Sequence, residues 1–288
     1  MEIEIGSRDG VLTLRLNRPQ KKNALTAAMY LAMANALAAA EKDDAVRVVL
    51  ITGHPDIFTA GNDLKDFQTN PPLLADSPVF LFMQQMVRAT KPVVAAVSGA
   101  AVGIGTTLLL HCDLVYAAEN ARFSLPFVQL GLCPEFASSL LLHQTAGMRR
   151  AAQMLMFGEP FGAREACEMG LVNQVLSIEA LPAFADAQAL KLAALPTASI
   201  QTTKRLMKGE SRSAIEARIA EENALFRDLL QAPQAQHAIA AFVEKAKPAV
   251  TKEPAIGNTG RKNAEFDHDS RSADHSADYD KPIKQHFP

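Results

Sequence analysis

The chain has 288 residues, of which 48% are hydrophobic, so it can bury a sizeable core over one or two domains. It carries 29 Lys and Arg residues against 31 Asp and Glu residues, for a net charge of −2. This balance provides no strongly basic surface of the kind that binds nucleic acid or an anionic membrane. An acidic substrate would therefore have to be held by a few local groups.

Cysteine usage and the start of the chain favour a reducing compartment. The three cysteines, Cys112, Cys133 and Cys167, match no metal-ligand spacing and no C-x-x-C pair, which predicts free thiols. The chain opens on an alternating strand pattern instead of a secretory leader, and no apolar run is long enough to span a bilayer. We therefore expect a cytoplasmic protein with no membrane span and no nucleic-acid partner.

Strand and helix patterns alternate in the first half of the chain. Two alternating runs, residues 2–6 and 11–17, flank an Asp-Gly pair, which is typical of a β-hairpin. An Ala-, Leu- and Met-rich run over residues 26–42 begins with Thr and predicts a helix. Further strands are predicted over residues 46–52, 92–98 and 114–117. Repeated strand–glycine–helix units predict an α/β fold with a mostly parallel sheet.

The second half of the chain is predicted to be almost entirely helical, with one short strand over residues 171–175. The predicted helices cover residues 149–157, 163–169, 178–195, 196–208 and 211–230. The last forty or so residues are polar, mix both charges and lack apolar periodicity, which is typical of a disordered tail. We divide the chain into a core (residues 1–195), a helical region (196–247) and a polar tail (248–288).

Two glycine-containing segments that follow predicted strands could bind a ligand through the backbone. They are residues 58–64 and residues 99–105, the second of which leads into an apolar helix predicted over residues 106–111. Backbone N–H groups at a helix start lack partners and suit an anion or a developing oxyanion. A dinucleotide fingerprint fails because its third glycine would be Leu108, and the chain has no Walker loop or G-x-S-x-G elbow.

Several motifs occur in one order along the chain. They are RPQKKNAL (residues 18–25), FTAGNDL (58–64), KPVVAAVSGAAVG (91–103), CDLVYAA (112–118) and ARFSLP (121–126). In this order they resemble the crotonase (enoyl-CoA hydratase/isomerase) superfamily, and the similarity extends over residues 1–243. So many motifs in sequence are far more specific than any one of them.

The resemblance implies an α/β fold, a crotonase-like spiral of ββα units with a C-terminal helical region that helps to build homotrimers or hexamers. It implies an acyl-CoA thioester substrate, so coenzyme A belongs to the substrate and no separate cofactor or metal is expected. It also implies that the backbone N–H groups of Asn62 and Ile104 hold the thioester oxygen. One such donor is typically worth on the order of 10²–10³ in rate.

The acid–base residues separate the reactions of this superfamily. Hydratases of the family use two glutamates, and the matching positions here hold Thr107 and Phe127, which disfavours hydration. Glu135, in the motif GLCPEFASS, is similar to the single catalytic base of the Δ3-Δ2-enoyl-CoA isomerases. Without the resemblance, a Glu after Pro134 would be interpreted as a helix start. We predict that Glu135 moves a proton of 3-enoyl-CoA from C2 to C4.

The other binding residues follow from their positions in the motifs. We expect CoA along residues 18–25 and the turn at residues 60–64, where Asp63 is also a candidate helix cap. The predicted substrate-binding residues are Lys21, Lys22, Ala60, Gly61, Asn62, Asp63, Leu64, Gly103, Ile104, Phe127 and Leu132. Hydration, thioester hydrolysis and dehalogenation stay open as alternative reactions, as does a non-catalytic binding protein of this fold.

Overall fold

Alternating apolar residues build the first two strands, β1 (Ile3–Arg8) and β2 (Val11–Leu16), which pair as the predicted antiparallel hairpin. Asp9 and Gly10 turn the chain with φ angles of 51° and 81°, which is the positive-φ backbone of a tight two-residue hairpin. The protein is represented by a computed structural model that describes residues 2–74 and 76–245. The polar tail predicted over residues 248–288 lies outside the described residues.

Strand pairs joined to helices follow the hairpin, and each pair contributes one strand to each of two sheets. The pairs are β3 (Val48–Thr52) with β4 (Ile57–Thr59), β5 (Val93–Val97) with β6 (Ala100–Val102), and β7 (Leu114–Ala118) with β8 (Arg122–Ser124). Two later strands, β9 (Phe161–Gly162) and β10 (Gln174–Leu176), complete sheets of order β1-β2-β3-β5-β7-β10 and β4-β6-β8-β9. Strands β2, β3, β5, β7 and β10 run parallel, so the predicted α/β spiral of ββα units is confirmed.

The helices lie between and after these strands, and a C-terminal helical region follows β10. They are α1 (Ala27–Lys42), α2 (Leu64–Thr69), α3 (Pro78–Arg88), α4 (Ile104–Thr107), α5 (Ser138–Ala146), α6 (Met148–Phe157), α7 (Ala163–Glu168), α8 (Ala180–Ala193), α9 (Thr197–Lys208), α10 (Arg212–Gln231) and α11 (Pro233–Lys245). Helix α1 begins where the sequence predicts, because the Thr26 hydroxyl accepts a hydrogen bond from Met29 N. The proposed boundary between residues 195 and 196 stays a prediction.

Strand β5 shows how the larger sheet divides the core into two layers. The strand is buried along its whole length, as a parallel strand with both faces covered should be. Val93, Ala95 and Val97 pack in the main core with α1 and α3. The alternate residues, Val94 and Ala96, pack on the opposite face against α8.

Two predicted elements differ from the structure. The strand predicted over residues 171–175 begins later, as β10 (Gln174–Leu176). Leu171 and Val172 are not available to the sheet, because their N–H groups both donate to Ala166 O and close the end of α7. The helix predicted over residues 106–111 is divided into α4 and a 3-10 turn, Leu108–His111.

Two further properties of the described ranges bear on function. None of their helices is long and apolar enough to cross a membrane. Their His, Cys, Asp and Glu side chains form no group of three or more that could hold a metal ion.

Candidate active site

Two loops leave adjacent strands at the same edge of the smaller sheet. Strands β4 and β6 are parallel neighbours, so the chain leaves both at that edge. A Cβ atom on Gly61 would lie 2.8 Å from Val102 O, and one on Gly105 would lie 2.5 Å from Thr59 Cγ2. Only glycine allows so close an approach. The structure therefore brings the two segments that the sequence singled out into direct contact.

Each loop carries a backbone N–H group with no acceptor among the described residues, and these groups belong to Asn62 and Ile104. The neighbouring N–H groups of Gly61 and Asp63 donate within the protein at 3.1 and 2.9 Å. Ile104 is the first residue of α4, where an N–H group has no partner within the helix. Gly103 precedes it with a φ of 55° and a ψ of −117°. Both predicted donors are thus available to a ligand.

A side chain of α1 and the backbone of the segment before α1 hold the Asn62 loop in place. Tyr30 Oη donates to Asn62 Oδ1 at 2.5 Å. Burial, and then the negative charge of Glu135, raise the pKa of Tyr30 well above its usual value, so its hydroxyl stays a neutral donor. Ala60 N donates to Lys22 O at 3.0 Å, which ties the loop to the segment carrying the predicted phosphate partners. The side chains of Lys22 and Lys21 are exposed.

Asp63 caps the helix that follows the loop, as the sequence predicted. Its carboxylate accepts hydrogen bonds from Lys65 N and Asp66 N at the start of α2, whose first residue is Leu64. It also pairs with Arg18 at 2.6 Å. Burial alone would raise the pKa of Asp63, but the bonds from Arg18 and the backbone outweigh it and lower the pKa. The charged group is therefore occupied in holding the loop.

Glu135 is a buried carboxyl that contacts the last residue of α4, the short helix that follows the second loop. It is 4% exposed, and its Oε1 accepts a hydrogen bond from Thr107 Oγ1 at 2.7 Å. Burial raises the pKa of Glu135 to about 8, the Thr107 bond lowers it, and the charge of Glu222 raises it. Helix α5 begins at Ser138, so Glu135 does not belong to the first turn of a helix. A buried carboxyl whose pKa lies near neutrality is suited to proton transfer.

Buried apolar side chains lie beside the second loop and next to Glu135 in the chain. Phe127 and Leu132 are both buried, and a Cβ atom on Gly103 would lie 3.8 Å from the Phe127 ring. Phe136 stacks on His111 with ring centroids 3.8 Å apart. Burial lowers the pKa of His111 to about 4, so this imidazole is neutral at physiological pH. The residue that follows Glu135 therefore packs on a neutral ring, and direct packing of Phe127 and Leu132 on the carboxyl stays a prediction.

A cavity of about 340 Å³ opens beside the Asn62 loop. Its lining residues come from the start of α1, from α2 and from the start of α3: Leu25, Ala27, Tyr30, Asp66, Phe67, Asn70, Pro71, Pro72, Ser77, Pro78 and Val79. Neither Glu135 nor Ile104 lines it. Tyr30 joins the cavity to the site, because it lines the cavity and its hydroxyl bonds to Asn62.

Sequence reasoning missed two polar residues of this site, Tyr30 and Glu222. Glu222 lies on α10 and accepts hydrogen bonds from the backbone just after Glu135. Both residues occupy core-facing positions of amphipathic helices, and Glu222 falls in line with Ile219 and Phe226. A polar residue within an apolar helical stripe was the signal that could have identified them.

Comparisons with known proteins agree with this geometry. A family model described as enoyl-CoA hydratase/isomerase matches residues 6–253. The chain is 34% identical over 257 residues to 2,3-dehydroadipyl-CoA hydratase of Escherichia coli (strain K12), covering 86% of this chain and 97% of that relative. It is 33% identical over 248 residues to enoyl-CoA delta isomerase 2 of Homo sapiens, covering 84% of this chain and 63% of that relative.

A solved structure is also similar over most of the chain. The structure of Pseudomonas aeruginosa OdaA matches with a TM-score of 0.82 and 48% sequence identity, covering 84% of this chain and 98% of that one. A hydratase and an isomerase match at nearly the same identity. Similarity therefore indicates the class of substrate, and the side chains of the site have to indicate the reaction.

Proposed function

The chain belongs to the enoyl-CoA hydratase/isomerase family, and on that premise we propose that this acyl-CoA enzyme converts 3-enoyl-CoA to 2-enoyl-CoA. The observation that carries the proposal is Glu135, a buried carboxyl whose pKa is raised to about 8. Its hydrogen-bond partner is Thr107, and Phe127 is buried in the same core as Ile104. Thr107 and Phe127 occupy the positions where the family's hydratases have glutamates, so a single carboxyl is left for the chemistry.

The proposed reaction moves one proton and one double bond. The Glu135 carboxylate removes a proton from C2, and the electron pair spreads over the thioester and the C3–C4 double bond as a dienolate. The protonated carboxyl then returns the proton to C4, which leaves the double bond between C2 and C3. No water is consumed, so an apolar site built around one carboxyl suits the reaction and suppresses hydration.

The charge that develops on the thioester oxygen requires preorganised donors. We assign this role to the N–H groups of Asn62 and Ile104. Two observations support the assignment: neither group has an acceptor among the described residues, and the loops that carry them touch at Gly61 and Val102. Donors held in place before the reaction need no reorganisation when the charge appears, which is what makes an oxyanion hole effective.

The remaining predicted contacts are assigned to the two ends of the substrate. Lys21 and Lys22 are exposed beside the Ala60 turn, where they are suited to the CoA phosphates. The apolar surfaces of Phe127 and Leu132 are suited to the part of the acyl chain near Glu135. The cavity beside Tyr30 offers further volume next to the Asn62 loop.

The pH dependence of the reaction should follow the ionisation of Glu135. Its pKa is about 8, so at pH 7 about one molecule in ten carries the carboxylate that removes the proton. We expect kcat/KM to rise about tenfold per pH unit below that value and to level off above it. A pH–rate profile of the wild-type enzyme with 3-enoyl-CoA measures this rise, the acid limb of the profile, directly.

Replacing the hydroxyl partner of Glu135 should shift the acid limb of the pH–rate profile. Thr107 donates to the carboxyl oxygen and so favours its charged form. Thr107→Val keeps the shape of the side chain but removes this donor, so we expect the pKa of Glu135 to rise and the limb to shift to higher pH. Thr107→Ser keeps a hydroxyl and serves as the control. A limb that is unchanged in Thr107→Val would show that this hydrogen bond does not tune the base.

A direct substrate comparison tests the proposed reaction. Purified protein is incubated separately with 3-enoyl-CoA and 2-enoyl-CoA, and the products are followed by absorbance and chromatography. We expect consumption of the 3-enoyl thioester with formation of the 2-enoyl product and no hydroxyacyl product. Formation of 3-hydroxyacyl-CoA from the 2-enoyl thioester would instead indicate a hydratase. Thioester hydrolysis would release free CoA, dehalogenation would need a halogenated acyl-CoA, and a non-catalytic protein would bind without turnover.

We also propose, from the resemblance to this family, a cytoplasmic homotrimer or hexamer in which residues 196–247 contribute to assembly. Helix α9 supports this proposal, because Leu206 and Met207 are each 75% exposed on it. Large apolar side chains exposed next to each other are typical of an association surface. Light scattering coupled to size-exclusion chromatography measures the assembly directly, and a monomer at micromolar concentration would contradict it.

A further inference from the structure

A second buried carboxylate lies behind the loop that carries Glu135. Glu222 belongs to helix α10 and is 4% exposed. It interrupts the apolar face of that helix, between Ile219 and Phe226, which are both buried. A carboxylate at a core-facing position is costly unless hydrogen-bond donors surround it. Its partners therefore show what it contributes to the protein.

Among the described residues, the hydrogen bonds that the Glu222 carboxylate accepts all come from the residues just after Glu135. Ala137 N donates to Oε2 at 2.5 Å. Ser139 N and Ser139 Oγ both donate to Oε1, at 3.1 and 2.5 Å. Arg218, one turn earlier on α10, donates to Ser139 Oγ at 3.3 Å. A side chain from one helix thus satisfies the N-terminal donors of another helix, α5, which has no cap of its own.

The backbone that these bonds hold is one that the chain would not adopt readily by itself. Phe136 and Ala137 have φ angles of 58° and 55°, in the left-handed region that residues with a Cβ atom avoid. Both residues are fully buried. This left-handed pair turns the chain between Glu135 and α5, so it determines the direction in which the Glu135 side chain leaves the backbone.

We propose that Glu222 is a positioning residue for Glu135: by accepting hydrogen bonds from Ala137 and Ser139, it holds the left-handed turn that aims the catalytic carboxyl at the substrate. This inference rests on the proposed function of Glu135. It gives the C-terminal helical region a part in the reaction in addition to its part in the core.

The charge of Glu222 provides a second link to Glu135. The negative charge of Glu222 raises the pKa of Glu135. The other groups that face Glu135 are Thr107, which donates to it, Tyr30, whose hydroxyl is neutral, and Cys133, whose thiol stays neutral because burial raises its pKa to about 11. Glu222 is thus the group among them whose removal would lower the pKa of Glu135 through charge.

Two variants separate position from charge. Glu222→Asp keeps the charge but withdraws the carboxylate by one methylene. We expect kcat on the pH-independent plateau to fall about 10–100-fold, the size of loss that follows removal of a hydrogen-bond partner that orients a metal ligand. KM should change little, and the acid limb of the pH profile should stay in place. Glu222→Gln keeps the length but loses one acceptor oxygen and the charge. We expect a fall in kcat together with a shift of the acid limb to lower pH.

Asp228→Asn is the matched control, because Asp228 is an exposed carboxylate on the same helix. Wild-type kcat and pH profile in both Glu222 variants would overturn the inference. If a Glu222 variant fails to fold, Ser139→Ala tests the same bonds, because it removes one donor to Glu222 and leaves the carboxylate in place. We expect it to lower kcat about tenfold, and an unchanged kcat would overturn the inference as well.

Glu135→Gln, assayed beside these variants, separates the two proposals. Full activity in Glu135→Gln refutes the proposed function. Loss of activity in Glu135→Gln together with wild-type behaviour in the Glu222 and Ser139 variants refutes only the positioning role. A crystal structure of Glu222→Gln gives a readout that does not depend on activity. We expect the left-handed φ angles of Phe136 and Ala137 to be lost there or the 135–137 loop to become disordered.

Discussion

Glu135→Gln is expected to lower kcat/KM for 3-enoyl-CoA by about 10²–10⁴-fold, the usual contribution of a positioned acid–base group. Glutamine has nearly the same shape and can still accept the hydrogen bond from Thr107 Oγ1. It cannot take a proton from C2, so the enolate cannot form by this route. Steady-state kinetics with purified variant protein measures the effect. Wild-type activity in Glu135→Gln would remove the basis of the isomerase proposal.

The same variant should become more stable relative to the wild type as the pH rises, which separates a catalytic role from a structural one. The pKa of Glu135 is about 8 in the folded protein, against an ordinary value of 4.5. Between these values the unfolded chain loses this proton before the folded chain does, so ionisation lowers the free energy of unfolding of the wild type. Glutamine does not titrate. The difference in melting temperature, variant minus wild type, should therefore increase from about pH 4.5 to about pH 8.

An exposed carboxyl provides the control for both measurements. Glu159 is exposed on the surface beyond α6, so Glu159→Gln should change neither turnover nor the pH dependence of stability. A Glu135→Gln variant that lost activity and also lost stability at every pH would indicate a residue that the fold requires. A Glu135→Gln variant with lower activity than the wild type, but with higher stability above neutral pH, would indicate a carboxyl that is buried for its chemistry at a cost in stability.

The parts of the fold that the sequence predicted are those determined by local pattern. The hairpin around Asp9 and Gly10, the buried strands β3, β5 and β7 and the cap at Asp63 can each be identified from residues that are close together in the chain. The strands of the smaller sheet were missed because most have only three residues, too few for an alternating pattern to be visible. The role of the Asn62 and Ile104 N–H groups as donors was predicted from the family motifs.

The contact between Glu222 and Ala137 could not be predicted, because it joins residues 85 positions apart. Nothing near Ala137 in the sequence signals a left-handed backbone, since such a conformation favours Gly or Asn and here occurs at Phe136 and Ala137. The conformation persists because a distant helix supplies the acceptors. The sequence could indicate only that Glu222 stands in an apolar stripe and must have partners.

Gly61→Ala is expected to lower kcat by about 10²–10³-fold, the effect of losing one donor of an oxyanion hole. The added Cβ atom would lie 2.8 Å from Val102 O, a backbone atom that cannot move aside without displacing β6. Gly61 also has a φ of +86°, which strains alanine. The loop must therefore retreat from β6, and it takes the Asn62 N–H group away from that of Ile104. Steady-state kinetics measures the loss of turnover, and thermal unfolding of the same preparation measures the loss of stability.

Gly170→Ala separates loss of the donor from loss of stability. Gly170 has a similar φ of +80°, but the nearest atom to its added Cβ would be 3.9 Å away, at ordinary contact distance. Both variants bear the strain of a positive φ, so both should melt at a lower temperature, and only Gly61→Ala should lose turnover. If Gly61→Ala kept its kcat while its loop moved, the N–H group of Asn62 would not be a donor to the thioester oxygen. The enolate would then need a donor other than Asn62 to act with the N–H group of Ile104.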